Sequence, residues 1–331
     1  MTSLRPEYEF AVLGAGALGS IIGAHLARAG HSVVMLARGR RAEQIQTEGL
    51  RITGLSELVI RVPTLSEPAR LRSAGTLIVA MKTPGTAAAL ASLGHARFEV
   101  TLSIQNGPLK DELLATAFGA ERVLGALADT SGELLPGGEV LFTRNVNLCV
   151  GELTGGLSER ASQIATSLDA AGVRAAAVAN IESLEWSKFA AWVGLVAMSV
   201  TTRSVTWRYL TDSGSALVLV RLVREMGRLM DALNIPLTDA AVLPVATLCS
   251  GTEESAVGAV MKVGHEFAAR APRHRMSSLQ DLEAGRPLEI HETLGYALEK
   301  AKRVGVQMPL VAAFYPLIAA LDRLKIAPAK P

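Results

Sequence analysis

A short apolar run, Phe10 to Leu13, opens the first readable pattern of the chain. Small residues follow, then apolar positions at helical spacing as far as Gly30, then a second apolar run from Val33 to Leu36. That order predicts strand, turn, helix, strand. Leu77 to Ala80 and Val100 to Ile104 are further continuous apolar runs, the pattern of strands buried on both faces of a parallel sheet. Val123 to Leu127 reads as another strand. Pro136-Gly137-Gly138, within Glu133 to Val140, predicts a hairpin turn, with Asn145 to Val150 as the strand after it. The sheet is therefore expected to be mainly parallel with an antiparallel extension. A helix over Ser158 to Ala171 and a last strand over Val173 to Val178 complete this half.

From Asn180 the strand signals stop. Asn180 is the expected N-cap of a helix running to about Arg203. Its stretch from Phe189 to Val200 is apolar nearly all round, which predicts burial on nearly all sides. Further helices are expected over Ser213–Leu233, Thr238–Cys249, Glu253–Ala269, Ser277–Ala284, Glu289–Val304 and Pro309–Leu324, separated by Pro and Gly breaks. The tail from Ala327 to Pro331 is expected to fray. The division predicts two domains, 1–179 and 180–331, as a length of 331 residues also suggests.

The turn after Leu13 reads Gly14-Ala15-Gly16-Ala17-Leu18-Gly19. Glycines at this spacing, between a strand and a helix, form a dinucleotide-binding fingerprint. Gly14 allows the tight turn, Gly16 lets the backbone approach a pyrophosphate, and Gly19 lets helix and strand pack closely. The helix N-terminus offers N–H groups and a positive dipole to the phosphates. An acid that would grip a ribose 2′-hydroxyl is missing after the second run. Arg38, Arg40 and Arg41 stand there instead, so the cofactor read from the sequence is NADP(H), with Arg38 the best phosphate ligand. At least one of Arg40 and Arg41 is expected to be a solvated start to the next helix.

Composition narrows the function classes. Hydrophobic residues make up 49%, net charge is +2 and mean hydropathy is +0.30. The near balance of charge gives no footprint for nucleic acid. The longest apolar run is too short to cross a bilayer. The N-terminus shows no signal-peptide pattern. Cys149 and Cys249 are far apart and are expected to be buried thiols of a cytoplasmic protein, and no metal site is read.

Three groups carry candidate chemistry. Lys82 and Asn106 follow the apolar runs at Leu77 and Val100, at the strand ends where open α/β sheets bind ligands. Either could equally be a loop residue, Asn106-Gly107 being a common turn pair. Lys188 enters a nearly all-apolar helix, where an ammonium is costly without a purpose; it could protonate a carbonyl oxygen as hydride arrives, or snorkel. The segment from Ser277 to Ile290 reads as a short capped helix, a Gly-Arg-Pro turn and a new helix opened by Glu289, an acid the helix dipole alone would favour.

Taken together, the glycine turn with Arg38, Lys82, Asn106-Gly107, Glu185-Trp186-Ser187-Lys188-Phe189 and the Ser277–Glu289 segment resemble the ketopantoate reductase (2-dehydropantoate 2-reductase) family over nearly the whole chain. The resemblance implies an N-terminal Rossmann-type α/β domain and an all-α C-terminal domain of the 6-phosphogluconate dehydrogenase C-terminal-like kind. It implies NADPH-dependent reduction of ketopantoate to pantoate for pantothenate synthesis. It implies Lys188 as the catalytic proton donor, Glu289 beside the substrate hydroxyl, Ser277 at the substrate carboxylate, Asn106 at the nicotinamide and the reacting centre, and Lys82 in the cofactor cleft. Departures fall beside Lys188: Trp192 and Val196 replace family asparagines, and His274 and His291 replace polar family residues near the Ser277 segment. Trp192 and His274 are thereby substrate-pocket candidates. A different, less polar 2-keto acid is the alternative substrate, and a non-catalytic NADP(H) sensor the alternative class. The apolar helical half leaves room for a homodimer.

Overall fold

The computed structural model describes residues 6–324, and the tail expected to fray lies outside them. The chain divides into two compact units, one ending at Glu182 and the other starting at Ser183.

The first unit is built on a ten-stranded mixed sheet. Its elements are β1 (Tyr8–Leu13), α1 (Ala17–Arg28), β2 (Val33–Leu36), α2 (Gly39–Glu48), β3 (Leu50–Gly54), β4 (Leu58–Ile60), β5 (Thr64–Leu65), β6 (Ser73–Val79), α3 (Thr86–Ala91), β7 (Arg97–Ser103), α4 (Leu109–Phe118), β8 (Val123–Leu134), β9 (Val140–Gly151), α5 (Glu159–Ala170) and β10 (Ala175–Ala177). The strand order is β4-β3-β9-β8-β7-β6-β1-β2-β5, with β10 beside β9. From β8 to β5 every pairing is parallel; β8–β9 and β3–β4 are antiparallel. Alternate residues of β1 serve different cores. Phe10 and Val12 pack with Ile21, Ile22 and Leu26 of α1, whereas Ala11 and Leu13 pack with Leu90 of α3 and Leu114 of α4. Burial on both faces is why the central strands read as unbroken apolar runs.

The hairpin is longer than its apolar residues suggest. β8 runs on to Leu134 and β9 starts at Val140, so the turn is only Leu135 to Glu139, closed by Leu135 N–H to the Glu139 carbonyl at 2.9 Å. Two register irregularities, after Asp129 and after Ser131, break the alternation that would have marked the strand. The short strands β3, β4 and β5, of which β4 and β5 are the sheet edges, escape the apolar-run pattern for a similar reason: they are brief and partly exposed.

The second unit is helical, and no strand occurs among its described residues. It takes α6 (Ile181–Thr202), which opens at the division, then α7 (Thr206–Thr211), α8 (Ser213–Ala232), α9 (Val245–Ser250), α10 (Glu253–Arg270), α11 (Ser277–Glu283), α12 (Tyr296–Arg303) and α13 (Pro309–Leu324). The Rossmann-type domain followed by an all-α domain is thus the observed fold class. Side-chain oxygens cap several helices: Asp212 accepts from the Ser215 N–H at 2.8 Å, and Thr252 from that of Ser255 at 3.1 Å. The buried Glu225 carboxylate of α8 accepts from the Leu310 and Val311 N–H groups that open α13, at 2.9 and 3.0 Å.

Three expected helices differ. The one placed over Thr238–Cys249 starts only at Val245, because a proline at 244 disfavours helix before it. Asp239 then reaches forward to hold the Thr247 N–H at 3.0 Å and its hydroxyl at 2.6 Å. The helix placed from Glu289 begins instead with a π-helical turn, His291–Gly295, closed by Gly295 N–H to the Ile290 carbonyl at 3.0 Å. Glu289 therefore precedes the helix, and its carbonyl accepts from the Thr293 hydroxyl. A Cβ on Gly295 would stand 3.1 Å from the Tyr315 ring, so the glycine lets α13 approach the widened turn. The third, α11, is not side-chain capped: Met276 is its N-cap and Ser277 its first residue. Of the two thiols expected to be buried, Cys149 is and Cys249 is only partly so; its burial pushes the thiol pKa up.

Candidate active site

In the first unit the candidates collect at the carboxyl ends of four adjacent parallel strands. Gly14 follows β1, Arg38 follows β2 by two residues, Lys82 follows β6 by three and Asn106 follows β7 by three. Gly14 has φ +106° and donates its N–H to the Leu36 carbonyl at 3.0 Å. A Cβ there would lie 2.8 Å from the Met81 nitrogen. A Cβ on Gly19 would collide with the Gly14 carbonyl oxygen and sit 3.0 Å from the Ala80 Cβ. Gly14 and Gly19 are thus required by the chain itself. Gly16 differs: it is the N-cap of α1, its φ of −70° suits any residue, and a Cβ there meets nothing within 4 Å. The space a side chain would fill lies at the helix N-terminus, where backbone N–H groups and the dipole favour an anion. A dinucleotide pyrophosphate fits that cradle.

The three arginines after β2 separate. Arg38 and Arg40 are exposed. Of Arg40 and Arg41, at least one of which was expected to be solvated, Arg40 is exposed and Arg41 is engaged by its own chain. It is half-buried, with Nε donating to the Ala15 carbonyl at 2.9 Å and Nη2 to the Ser20 hydroxyl at 2.9 Å. Lys82 and Asn106 are exposed. Between them Gln105, which sequence reasoning passed over, donates from Nε2 to the Met81 carbonyl at 2.9 Å and to the Thr86 hydroxyl at 2.7 Å, tying the ends of β6 and β7 together. Also unforeseen is a buried pair at the start of α4, where Lys110 Nζ meets both Asp111 oxygens at 3.0 and 2.9 Å.

In the second unit, Lys188 and Trp192 share one stripe of α6. Between Ser183 and Val200 every residue is buried except Leu184, Lys188 and Trp192, which are half-buried and four residues apart. Val196 continues the stripe and is buried. Other faces of α6 are fixed by neighbours. Trp186 and Phe189 pack against Tyr296 of α12, with ring centroids 6.3 and 5.9 Å away. The buried Ser187 hydroxyl accepts from the Thr238 N–H at 2.9 Å. The Ser199 and Ser278 hydroxyls lie 3.2 Å apart, joining α6 to α11 beside Ser277, which is itself exposed. His274 is exposed but tethered: Nδ1 lies 2.8 Å from the Thr206 hydroxyl, and its ring packs on Phe267 at 5.0 Å. Burial pushes the nearby Tyr209 phenol up to about 12. Glu289 is half-buried, and His291 Nδ1 lies 2.6 Å from the Tyr315 hydroxyl. Among the described residues no cluster of three His, Cys, Asp or Glu could hold a metal, and no helix is long and apolar enough to cross a membrane.

The model of the family described as ketopantoate reductase PanE/ApbA matches residues 10–155, and that of its C-terminal part matches residues 180–322. The chain belongs to the ketopantoate reductase family. It is similar to a 2-dehydropantoate 2-reductase of Archaeoglobus fulgidus, 29% identical over 295 residues, covering 89% of this chain and 91% of that one. Among solved structures it resembles 2-dehydropantoate 2-reductase from Methylococcus capsulatus, with TM-score 0.79, 25% identity and coverage of 97% and 98% of the two chains. D-mandelate dehydrogenase with NADH and anilino(oxo)acetate shares the fold at TM-score 0.80 and 18% identity, over 95% of this chain and 98% of that one. As a ketopantoate reductase family member, the chain is a dinucleotide-binding oxidoreductase.

Proposed function

We propose that the protein reduces a 2-keto acid with NADPH, and that the substrate is ketopantoate, giving pantoate for pantothenate synthesis in the cytoplasm. The observation that carries the reading is Lys188: the only Lys or Arg of α6, placed on the one stripe of that helix that is not fully buried between Ser183 and Val200. The names of the curated relatives support ketopantoate as substrate. The shared fold chooses no cofactor, since a neighbour carries NADH. The basic Arg38 and Arg40 after β2, with no acid there, favour NADP(H).

When bound, NADPH supplies hydride to the carbonyl carbon of the keto acid. The α1 N-terminus and the open cradle at Gly16 hold its pyrophosphate, and Arg38 grips the 2′-phosphate. Lys188 donates a hydrogen bond to the carbonyl oxygen and then its proton, so that the developing alkoxide leaves as a hydroxyl. Ser277 holds the substrate carboxylate and Glu289 the substrate hydroxyl.

Trp192 favours a second reading, a bulkier and less polar 2-keto acid. It stands one turn from Lys188, with the buried Val196 one turn beyond; valine offers no hydrogen bond and tryptophan only an indole N–H, so neither gives the donor-and-acceptor grip on a substrate hydroxyl that an amide side chain would. NADPH oxidation by a panel of 2-keto acids tests both. Turnover of ketopantoate that disappears in Lys188→Ala supports the first; turnover of apolar 2-keto acids alone replaces it with the second. Arg38→Ala should weaken NADPH about tenfold and leave NADH unchanged; equal losses would remove the assignment to NADP(H).

A further inference from the structure

Arg41 has all three guanidinium nitrogens occupied by its own chain. Nε donates to the Ala15 carbonyl at 2.9 Å, which also accepts from the Ser20 hydroxyl at 3.2 Å. Nη2 donates to that same hydroxyl at 2.9 Å. Nη1 donates to the Gly138 carbonyl at 2.6 Å, at the tip of the β8–β9 hairpin, and to Gln44 Oε1 at 3.0 Å. Gln44 in turn donates to the Gly137 carbonyl at 2.7 Å. The planar fork suits several oxygens held at fixed angles, which an ammonium could not satisfy together. Burial pulls the Arg41 pKa down from its ordinary value, but a guanidinium stays charged throughout the working range.

The Ala15 carbonyl is a consequential partner because a trans peptide is planar. Its C=O and the N–H of the next residue point in opposite directions. Holding the Ala15 oxygen on one side therefore aims the Gly16 N–H toward the other. Gly16 is the N-cap of α1 and the position whose missing side chain leaves the cradle open. We propose that Arg41 is a positioning residue of the dinucleotide site: it orients the Ala15–Gly16 peptide for the pyrophosphate and couples that orientation to the β8–β9 hairpin tip. The inference rests on reading the glycine turn as the NADP(H) site. It gives the basic segment after β2 two separate jobs, with Arg38 meeting the ligand and Arg41 shaping the backbone that meets it.

The two jobs are separable with two probes. NADPH carries both a pyrophosphate and a 2′-phosphate, whereas adenosine 2′-monophosphate carries only the latter. Both are titrated against wild type, Arg41→Ala, Arg41→Lys, Gln44→Ala and Arg38→Ala, with thermal melts on each. Arg41→Ala should weaken NADPH about tenfold while leaving the monophosphate unchanged, and Arg38→Ala should weaken both. Arg41→Lys should not restore NADPH binding, because retained charge is not what the turn needs. Gln44→Ala, whose side chain lies on the surface route to the hairpin, should keep the fold and weaken NADPH about twofold. Unchanged NADPH affinity in a folded Arg41→Ala protein overturns the proposal, as does rescue by lysine or an equal loss for the monophosphate. Should Arg41→Ala fail to fold, unaltered NADPH binding by Gln44→Ala overturns it. A wild type that binds neither probe removes the reading of the glycine turn itself, a result distinct from all of these.

Discussion

The glycine turn of the first unit and the Lys188 stripe of the second are built from different material. At the turn the working groups are backbone N–H groups, and side chains matter mostly by being absent. Gly14 and Gly19 have no room for a Cβ, while Gly16 has room to spare that a ligand would use. Along α6 the backbone is an ordinary helix, and everything depends on which side chains stand at 188, 192 and 196. A backbone site tolerates change poorly but keeps its job across substrates. A side-chain stripe is free to change, and here Trp192 and Val196 lie beside a lysine that the reading keeps catalytic. On the proposed reading, the difference teaches that a backbone site for the cofactor and a side-chain stripe for the substrate are separable by mutation.

The largest expected effect breaks the stripe without touching the turn. Lys188→Ala should lower kcat by about 10²- to 10⁴-fold, the usual contribution of a positioned general acid. NADPH affinity should remain that of the wild type. A parallel loss of NADPH binding would mean that the lysine serves the cofactor and that the two sites are not separable in this way.

Next come two glycine substitutions that divide the turn against itself. Gly19→Ala places a methyl group against the Gly14 carbonyl, so helix and strand must part; a destabilisation of about 1–3 kcal/mol is expected, read as a lower melting temperature. Gly16→Ala meets nothing, so the melting temperature should hold while NADPH weakens about tenfold. Unchanged NADPH affinity in a folded Gly16→Ala protein would mean that the open space at Gly16 has no bearing on the ligand.

How much of this the sequence discloses follows the same division. The turn was legible because glycine spacing reports local backbone needs, and the central strands because burial on both faces leaves unbroken apolar runs. Lys188 was legible as a charge inside an apolar helix. Arg41 was not, because its partners, Ala15, Ser20 and Gly138, come together only when α2 and the hairpin pack. Gln105 was hidden for the same reason, its bonds running to the end of another strand. The π-helical turn at His291 had no sequence signal of its own; it lies where the Tyr315 ring of α13 leaves little room for a side chain at Gly295, a proximity that arises only on folding. The late start of α9, by contrast, has a local cause in the chain, the proline at 244.

A smaller effect sharpens the substrate side. Trp192→Asn restores a hydrogen-bonding group one turn from Lys188 and removes apolar bulk. It should raise kcat/KM for ketopantoate about tenfold and lower it for apolar 2-keto acids, with kcat for the better substrate changing less. Should ketopantoate already be the preferred substrate and lose efficiency in the variant, the tryptophan is part of the ketopantoate pocket rather than a departure from it.

The smallest effect returns to the first unit and to pH. His25 of α1 is 1% exposed, with Nδ1 2.8 Å from the Ile21 carbonyl and Nε2 3.1 Å from the Ser56 hydroxyl. Burial holds its pKa below the usual 6.5, the Ile21 carbonyl opposing and Arg28 adding to the effect. The unfolded chain therefore takes up the proton first as pH falls. Stability from a neutral His25 is complete above about pH 6.5 and is lost as pH falls through the lower folded value. His25→Gln should flatten the melting temperature between about pH 7 and 5 while leaving NADPH binding at neutral pH intact. Glu152 supplies the internal comparison: its carboxyl is held below the usual 4.5 chiefly by the Arg160 hydrogen bond, so its contribution is present above that value and lost only in more acid solution. An unflattened slope near pH 6 in His25→Gln would therefore exclude the imidazole, and a slope confined below pH 4.5 would point to carboxylates of this second kind.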